Sequence, residues 1–236
     1  MSHLHIPDGI LPPVLWIWGL VLAGVLLLVS APAARRAGPR QVAFQSALGA
    51  IMLAVMAIPI PITAFDYCMT LAGPVGVLLG AAPAFQVSFV VTLILALLGQ
   101  GGFTVIGLNT LVLGLGAILA RPLYLRTVRR LGPPRAMALA TAISQLFSTV
   151  CWGLLLVLSV RLTPDAAGNH EVEHTVIEVW HHVGAAVVIP LLVAAVALEA
   201  LLGYGLGRFL HRVRPDLLPV PAGGRVVHPI GSPSTP

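Results

Sequence analysis

Apolar stretches long enough to cross a lipid bilayer recur along this chain from Leu11 to Leu206. The hydrocarbon core of a bilayer is about 30 Å thick, and a helix needs roughly 20 apolar residues to cross it. Only 9% of the 236 residues are charged, whereas a soluble domain carries about a quarter. The sequence therefore predicts an all-α, polytopic helix bundle in the cell inner (plasma) membrane.

Seven transmembrane helices are the simplest count for this pattern. We place them at 12–32, 42–60, 69–83, 86–100, 104–120, 136–161 and 183–207. The third and fourth helices are short and meet at an uncharged break, Ala81–Ala84, so either is a candidate for a broken or re-entrant element. The bundle thus occupies residues 12–207. A basic tail at 208–236 follows, and it is rich in Pro, Gly and Ser after Leu218, which predicts disorder.

The arginines predict the orientation of the bundle. All 13 basic side chains are arginine, and under this helix count all except Arg161 fall on one side. By the positive-inside rule that side is cytoplasmic, so the N-terminus is expected outside and the C-terminus inside. Because these arginines sit in short loops between apolar spans, their charge does not indicate a nucleic-acid partner.

Two histidines, His3 and His5, precede the first apolar run. A chain-terminal amine, the next peptide nitrogen and an imidazole can wrap one small metal ion in fused chelate rings. Deprotonated amides suit square-planar Ni(II) or Cu(II), and imidazole suits Ni, Cu and Zn. Pro7 fixes its own φ and Gly9 permits a sharp reversal, so the segment 1–13 can fold back into the bundle. We predict that this segment captures a metal ion.

The segment from His5 to Pro13, His-Ile-Pro-Asp-Gly-Ile-Leu-Pro-Pro, resembles the N-terminal signature of cobalt/nickel permease (CbiM/NikM-type) subunits of energy-coupling-factor (ECF) ABC transporters. Residues 77–80 (Val-Leu-Leu-Gly) and 101–109 (Gly-Gly-Phe-Thr-Val-Ile-Gly-Leu-Asn) are similar to two further segments of that family. The resemblance implies a non-catalytic subunit that binds and imports Co²⁺ or Ni²⁺, for example for cobalamin biosynthesis, without a resident cofactor. The implied partners are a transmembrane coupling (T) protein, two cytoplasmic ATPase subunits and usually a small auxiliary membrane protein.

This chain departs from the family at the position of the signature histidine, which is fifth here and second in the family. Leu4 can be the true start, translated as Met. Alternatively, removal of Met1 leaves Ser2-His3 as the chelate, or a retained Met1 forms the chelate together with Ser2 and His3. The amine ligand then belongs to Leu4, Ser2 or Met1. A histidine pair that binds no metal is the remaining alternative.

The family's later metal-ligating histidine is also absent. Counting back from Leu78-Leu79-Gly80 puts its position near Cys68. A thiolate can replace imidazole as a softer ligand, and Asp66 is the alternative. The ordinary role for Cys68 is that of a small buried apolar residue.

Three further polar residues, Gln100, Thr104 and Asn109, are candidates to hydrogen-bond the inserted N-terminus. Outer hydrogen-bonding partners of this kind orient metal ligands. Their simpler role is interhelical hydrogen bonding. Glu199 lies about 16 residues, or ~24 Å, from the predicted outer end of the last helix. That depth predicts a snorkelling or Arg208-paired carboxylate at the cytoplasmic edge.

The chain contains no Lys and therefore no Gly-x-x-x-x-Gly-Lys-(Ser/Thr) phosphate loop, so ATP hydrolysis must lie on other chains. Two other functions stay open. One is a stand-alone secondary metal transporter or channel, which would need ionisable groups along a path. The other is a membrane metallo-hydrolase that uses the polar outer loop, 162–182. The ionisable residues of that loop are His170, Glu171, Glu173, His174, Glu178, His181 and His182.

Overall fold

The computed structural model describes residues 11–58, 60–62, 65–162 and 189–220. Within these ranges the chain forms seven α-helices and one two-stranded antiparallel hairpin. The helices are α1 (Pro13–Arg36), α2 (Pro39–Met56), α3 (Ala72–Leu79), α4 (Ala81–Leu97), α5 (Ile106–Leu131), α6 (Pro133–Leu162) and α7 (Ile189–Val213). Strands β1 (Ile60–Ile62) and β2 (Phe65–Tyr67) precede α3, and a 3-10 turn (Pro215–Leu217) follows α7. The predicted helical membrane bundle is confirmed, with one short hairpin added.

Four of these helices are long and apolar enough to cross a membrane. They are α1, α5, α6 (over Pro133–Ser159) and α7, while α4 is a shorter apolar helix. Because four helices can each cross a bilayer, the prediction of a multi-pass membrane protein is confirmed. Only 17% of the spanning window of α1 and of α7 is buried inside the protein, against 61% for α5. Helix α5 is therefore the central long helix of the bundle.

The predicted boundaries are wrong around the third and fourth helices. Helix α3 has 8 residues rather than the span 69–83. It ends at Leu79 and is followed by Gly80, whose φ of 84° lies in the left-handed region that favours glycine. Pro83 falls in the first turn of α4, where proline is tolerated because the amide it lacks would have no helical partner.

The long helices also extend past their predicted ends. Helix α5 continues beyond residue 120 to Leu131, and α7 continues beyond residue 207 to Val213. Leu218, which follows the 3-10 turn, is only 7% exposed and packs in an apolar cluster with the ends of α5, α6 and α7. The ordered bundle therefore includes the first part of the predicted tail. Residues 183–188 and 221–236 lie outside the described residues.

Helix α3 is surrounded by other helices because its glycines allow very close contacts. A Cβ atom on Gly76 would collide with the main-chain carbonyl of Ala117 in α5. A Cβ atom on Gly73 would lie 2.6 Å from the Cα atom of Thr141 in α6. Small residues at helix interfaces in membranes serve this purpose, since backbones can then approach within van der Waals distance.

Helix α7 packs on α6 along a similar stripe of small residues. Its buried positions are Ala195, Glu199, Gly203, Gly207 and Leu210. A Cβ atom on Gly203 would lie 2.5 Å from Thr141 Oγ1, and one on Gly207 would lie 2.9 Å from the Cβ atom of Met137. These close contacts bury Glu199, the one acidic residue of the stripe, in the interior of the bundle.

Candidate functional site

The turn at 68–71, between β2 and α3, is buried in the bundle and contains the predicted ligand Cys68. Cys68 and Thr70 are each 2% exposed. Leu71 adopts a left-handed conformation with φ of 51°, the only non-glycine residue to do so in the described part of the chain. Such a conformation is unfavourable for a leucine and persists only where the surrounding structure holds it.

Two polar side chains from neighbouring helices surround this turn. The backbone N–H of Thr70 donates to Glu199 Oε1 over 2.5 Å, and the Thr70 hydroxyl donates to the same oxygen over 3.0 Å. The hydroxyl also lies 3.2 Å from Gln145 Oε1. One hydrogen-bonded cluster, the turn cluster (Thr70, Gln145 and Glu199), thus joins α6 and α7 to the turn.

The turn cluster lies near the middle of the helices that contribute to it. Gln145 is about 12 residues, or ~18 Å, from the start of α6. Glu199 is about 14 residues, or ~21 Å, from the end of α7 at Val213. Both helices are long enough to cross a membrane. The turn therefore lies well inside the helical bundle and away from the arginine-rich ends of these helices.

The prediction that Glu199 snorkels to the cytoplasmic edge or pairs with Arg208 is wrong. Glu199 is 0% exposed and accepts hydrogen bonds from Thr70, whereas Arg208 is exposed. The prediction took the last helix to end at residue 207, whereas it continues to Val213, so Glu199 lies farther from the cytoplasmic end than expected. The small-residue stripe then turns the carboxylate towards α6 and the turn rather than towards solvent.

Glu199 is the only acidic residue in the described helices; the other described acids are Asp66 in β2 and Asp216 after α7. A carboxylate inside a membrane bundle is costly unless it is hydrogen-bonded or paired, and such residues commonly have a function. The amide nitrogen of buried Gln145 has no hydrogen-bond partner in the described structure. The site therefore combines a carboxylate acceptor, a thiol and a spare amide donor in the interior of the bundle.

The remaining predicted site residues are spread over the bundle or lie outside the description. Residues 1–10, with His3, His5 and all three candidate amines (Met1, Ser2 and Leu4), are outside it, as is the histidine-rich loop from 163 to 188. Asp66 is in β2, where its backbone is paired with Pro61. No group of three or more His, Cys, Asp or Glu residues within the described ranges can hold a metal ion. A metal ion at Cys68 would thus also need ligands from the undescribed residues.

The predicted hydrogen-bonding residues lie in the connection between α4 and α5 and in the first turn of α5. Gln100 donates from Nε2 to the carbonyl of Ala57 over 3.1 Å, which ties the connection after α4 to the end of α2. Thr104 precedes α5, and Asn109 is buried in its first turn. The contact of Gln100 thus joins the connections that follow two helices, and its role towards the N-terminus stays a prediction.

Sequence patterns did not predict Thr70 as the partner of Glu199, nor Gln145 as a second contact of Thr70. A signal was present, because Ala195, Glu199, Gly203 and Gly207 recur every four residues and mark one face of a helix. A face otherwise made of small residues indicates a helix contact. An acid on that face must then find a hydrogen-bond donor on a neighbouring element.

Leu11, the point of entry into the described part of the bundle, lies close to the same helices. Leu11 is 6% exposed and belongs to a cluster with Val105, Leu108 and Trp152. Trp152 is on α6, two turns from Gln145 of the turn cluster. The point of entry and the turn cluster therefore share one helix.

Comparison with known proteins adds independent information on this bundle. The model of the CbiM family, "Cobalt uptake substrate-specific transmembrane region", matches residues 5–217. The curated "Cobalt transport protein CbiM" of Geobacter sulfurreducens is 26% identical over 234 residues, covering 94% of this chain and 64% of the relative. The chain thus spans less than two thirds of that relative's length.

Two crystal structures share the fold. One of a transition metal transporter superposes with a TM-score of 0.73 at 20% identity, covering 89% of this chain and 93% of that one. One of a truncated transition metal transporter gives a TM-score of 0.72 at 20% identity, covering 88% and 98%. At this identity the likeness concerns the fold alone.

Proposed function

The chain belongs to the CbiM family of cobalt uptake substrate-specific transmembrane regions, and on this basis we propose that it captures Co²⁺ or Ni²⁺ for an ECF-type importer. The observation that best supports the proposal is the buried turn at 68–71, which holds a thiol among polar groups in the middle of an apolar bundle. The match of the family model begins at His5, which favours His5 as the signature histidine.

We propose that the metal ligands are the chain-terminal amine, the following peptide nitrogen, one imidazole and the Cys68 sulfur. The imidazole belongs to His5 if the chain starts at Leu4 and to His3 if it starts upstream. Asp66 is the alternative fourth ligand. A coordinated thiol is deprotonated, so Cys68 would add a negative charge and a soft donor to the site.

The N-terminal segment is long enough to bring these ligands together. Leu11 is anchored beside Trp152, and the six residues from there back to His5 can extend ~20 Å. The seven residues from Trp152 to Gln145 cover only ~10 Å along α6. The distance between the point of entry and the turn cluster is therefore no obstacle to a chelate at Cys68.

Energy for transport is proposed to come from partner chains. This chain has no phosphate loop, so we expect a T protein, two ATPase subunits and a small auxiliary membrane protein to complete the importer. We further propose that the N-terminus faces outside and the arginine-rich ends face the cytoplasm. The alternative of a stand-alone transporter gains little, because Glu199 is the only acidic residue in the described helices and one carboxylate does not form a path.

The free N-terminus provides the sharpest test. We would measure Co²⁺ and Ni²⁺ affinity and stoichiometry for three forms of the protein: one starting at Met1, one with Met in place of Leu4 as the first residue, and one with an N-terminal tag. We expect an untagged form to bind one ion tightly and the tagged form to lose that binding, because an acylated nitrogen cannot donate its lone pair. Equal tight binding by all three would refute the chelate.

Substitution of the fourth ligand is a complementary test. Cys68→Ser should weaken binding and remove any thiolate-to-metal charge-transfer band, whereas Cys68→His, the ligand usual in the family, should keep the affinity. Uptake into cells or vesicles should require co-expressed coupling and ATPase subunits. Accumulation of metal against a gradient by the purified chain alone would refute the proposed dependence on partners.

A further inference from the structure

Glu199 accepts a hydrogen bond from the main chain of the turn that carries Cys68. Thr70 is two residues from Cys68, and both its N–H and its hydroxyl donate to Glu199 Oε1. The Thr70 hydroxyl in turn accepts from the N–H of Ala72 over 3.4 Å. The Glu199 carboxylate therefore stabilises the turn itself as well as the contact between α6 and α7.

The turn needs such support for two reasons. Leu71, the N-terminal cap of α3, has a positive φ and offers no side-chain hydrogen bond to the helix. The first amides of a helix lack partners within it and need other acceptors when they are buried. A leucine in the left-handed region is also unfavourable, so neighbouring contacts must hold it there.

We infer that Glu199 is a positioning residue for metal capture: it holds the turn at 68–71 in the conformation that presents Cys68 to the metal. The inference rests on the proposed function, because it takes Cys68 as a ligand. The proposed metal site consists of the N-terminus and the turn. Its geometry would then also depend on a residue of α7 that is about 130 positions from Cys68 in sequence. The inference also explains why a carboxylate is retained in a stripe of small residues.

The first experiment compares Glu199→Gln with the wild-type chain, full length and with an authentic N-terminus, in detergent or nanodiscs. Glutamine keeps the size of the side chain and one acceptor oxygen but is a weaker acceptor for Thr70. We expect the affinity for Co²⁺ to fall about tenfold, as for other residues that orient metal ligands. The charge-transfer band of the Cys68 thiolate should shift as well, which lost packing between α6 and α7 alone would not cause.

The matched control is Gly205→Ala on the same helix. A Cβ atom there meets nothing within 4 Å, so this variant should bind Co²⁺ with wild-type affinity. The thermal midpoint of each metal-free protein is measured alongside. A fall in affinity for Glu199→Gln that is matched by an equal loss in Gly205→Ala would overturn the inference.

The second experiment is a rescue. Glycine adopts a positive φ without steric penalty, so Leu71→Gly relaxes the turn that Glu199 holds. Adding Leu71→Gly to Glu199→Gln should restore at least about a third of the lost affinity, and the two changes should be non-additive. Strictly additive losses would show that Glu199 does not act through the turn.

The outcomes also separate this inference from the proposed function. If Cys68→Ser binds Co²⁺ as tightly as wild type, Cys68 is not a ligand and the proposed ligand set fails, and the inference fails with it. If Cys68→Ser loses binding while Glu199→Gln keeps full affinity and an unshifted band, only the positioning role fails. Every combination of results therefore supports or rejects one of the two statements.

Discussion

Helices α3 and α1 are both apolar and free of acidic residues, yet they have opposite environments. Every residue of α3 from Ala72 to Val77 is buried, whereas only 17% of the spanning window of α1 is buried. A Cβ atom on Gly76 of α3 would collide with backbone, while one on Gly24 of α1 meets nothing within 4 Å. Hydropathy shows that a segment can lie in a membrane, but the environment of its small residues shows whether it faces protein or lipid.

The largest expected effect is that of Gly76→Ala in α3. The added methyl group would overlap the carbonyl of Ala117, which belongs to the backbone of α5 and cannot move aside as a side chain can. We expect a loss of about 3 kcal/mol or more, comparable to severe overpacking. The measurement is the yield and thermal midpoint of the folded protein in detergent.

The control for this prediction is Gly24→Ala in α1. Alanine favours a helix over glycine by up to about 1 kcal/mol, and there is open space for its methyl group, so the variant should be neutral or slightly more stable. Equal losses of stability for Gly76→Ala and Gly24→Ala would contradict the difference in environment between α3 and α1.

The next effect is that of Thr70→Val at the start of α3. The substitution conserves shape but removes a hydroxyl that contacts both Glu199 and Gln145. We expect a loss of about 1–3 kcal/mol, because buried polar groups would lose a partner. The comparison is Thr70→Ser, which retains the hydroxyl and should keep most of the stability measured by thermal unfolding.

A smaller loss of stability is expected when either of two leucines is replaced by glycine. Leu28→Gly in α1, at a position 75% exposed, should cost about 1 kcal/mol through helix propensity alone. Leu71→Gly should cost less, since relief of the positive φ offsets part of the added flexibility of the unfolded chain. The thermal midpoints of both single variants test this order, and a larger loss for Leu71→Gly would reverse it.

The smallest effect is expected at the exposed pair formed by Arg214 and Asp216. The hydrogen bond from Arg214 lowers the pKa of the Asp216 carboxyl, so any contribution to stability is present above the unfolded pKa of Asp216. That contribution is lost as pH falls through the lower, folded pKa. Because both side chains are more than half exposed, Asp216→Asn should leave the thermal midpoint at pH 7 nearly unchanged. A large drop would show that this surface pair matters as much as the buried contacts.

Sequence patterns predicted seven helices, and the described ranges contain seven, but only four of these are long and apolar enough to cross a bilayer. They did not predict that α3 is short, since the apolar run 69–83 continues through Gly80, where the backbone turns. Cys68 was identified as a candidate from its distance to a motif. The contacts of Thr70 with Gln145 and Glu199 were not predicted, because contacts between segments so far apart depend on which face of α6 and α7 is turned inward.

The short length of α3 has a consequence for how the protein is inserted into the membrane. Eight helical residues cover ~12 Å, well under the ~30 Å hydrocarbon core, so this segment cannot cross as a helix by itself. The rest of its path is strand and turn, whose peptide groups would be unsatisfied in lipid. During biosynthesis the segment should therefore leave the translocation machinery only after α5 and α6 have been made. Ribosome-bound chains truncated before α5 should then leave residues 60–80 accessible to water-soluble thiol reagents at Cys68.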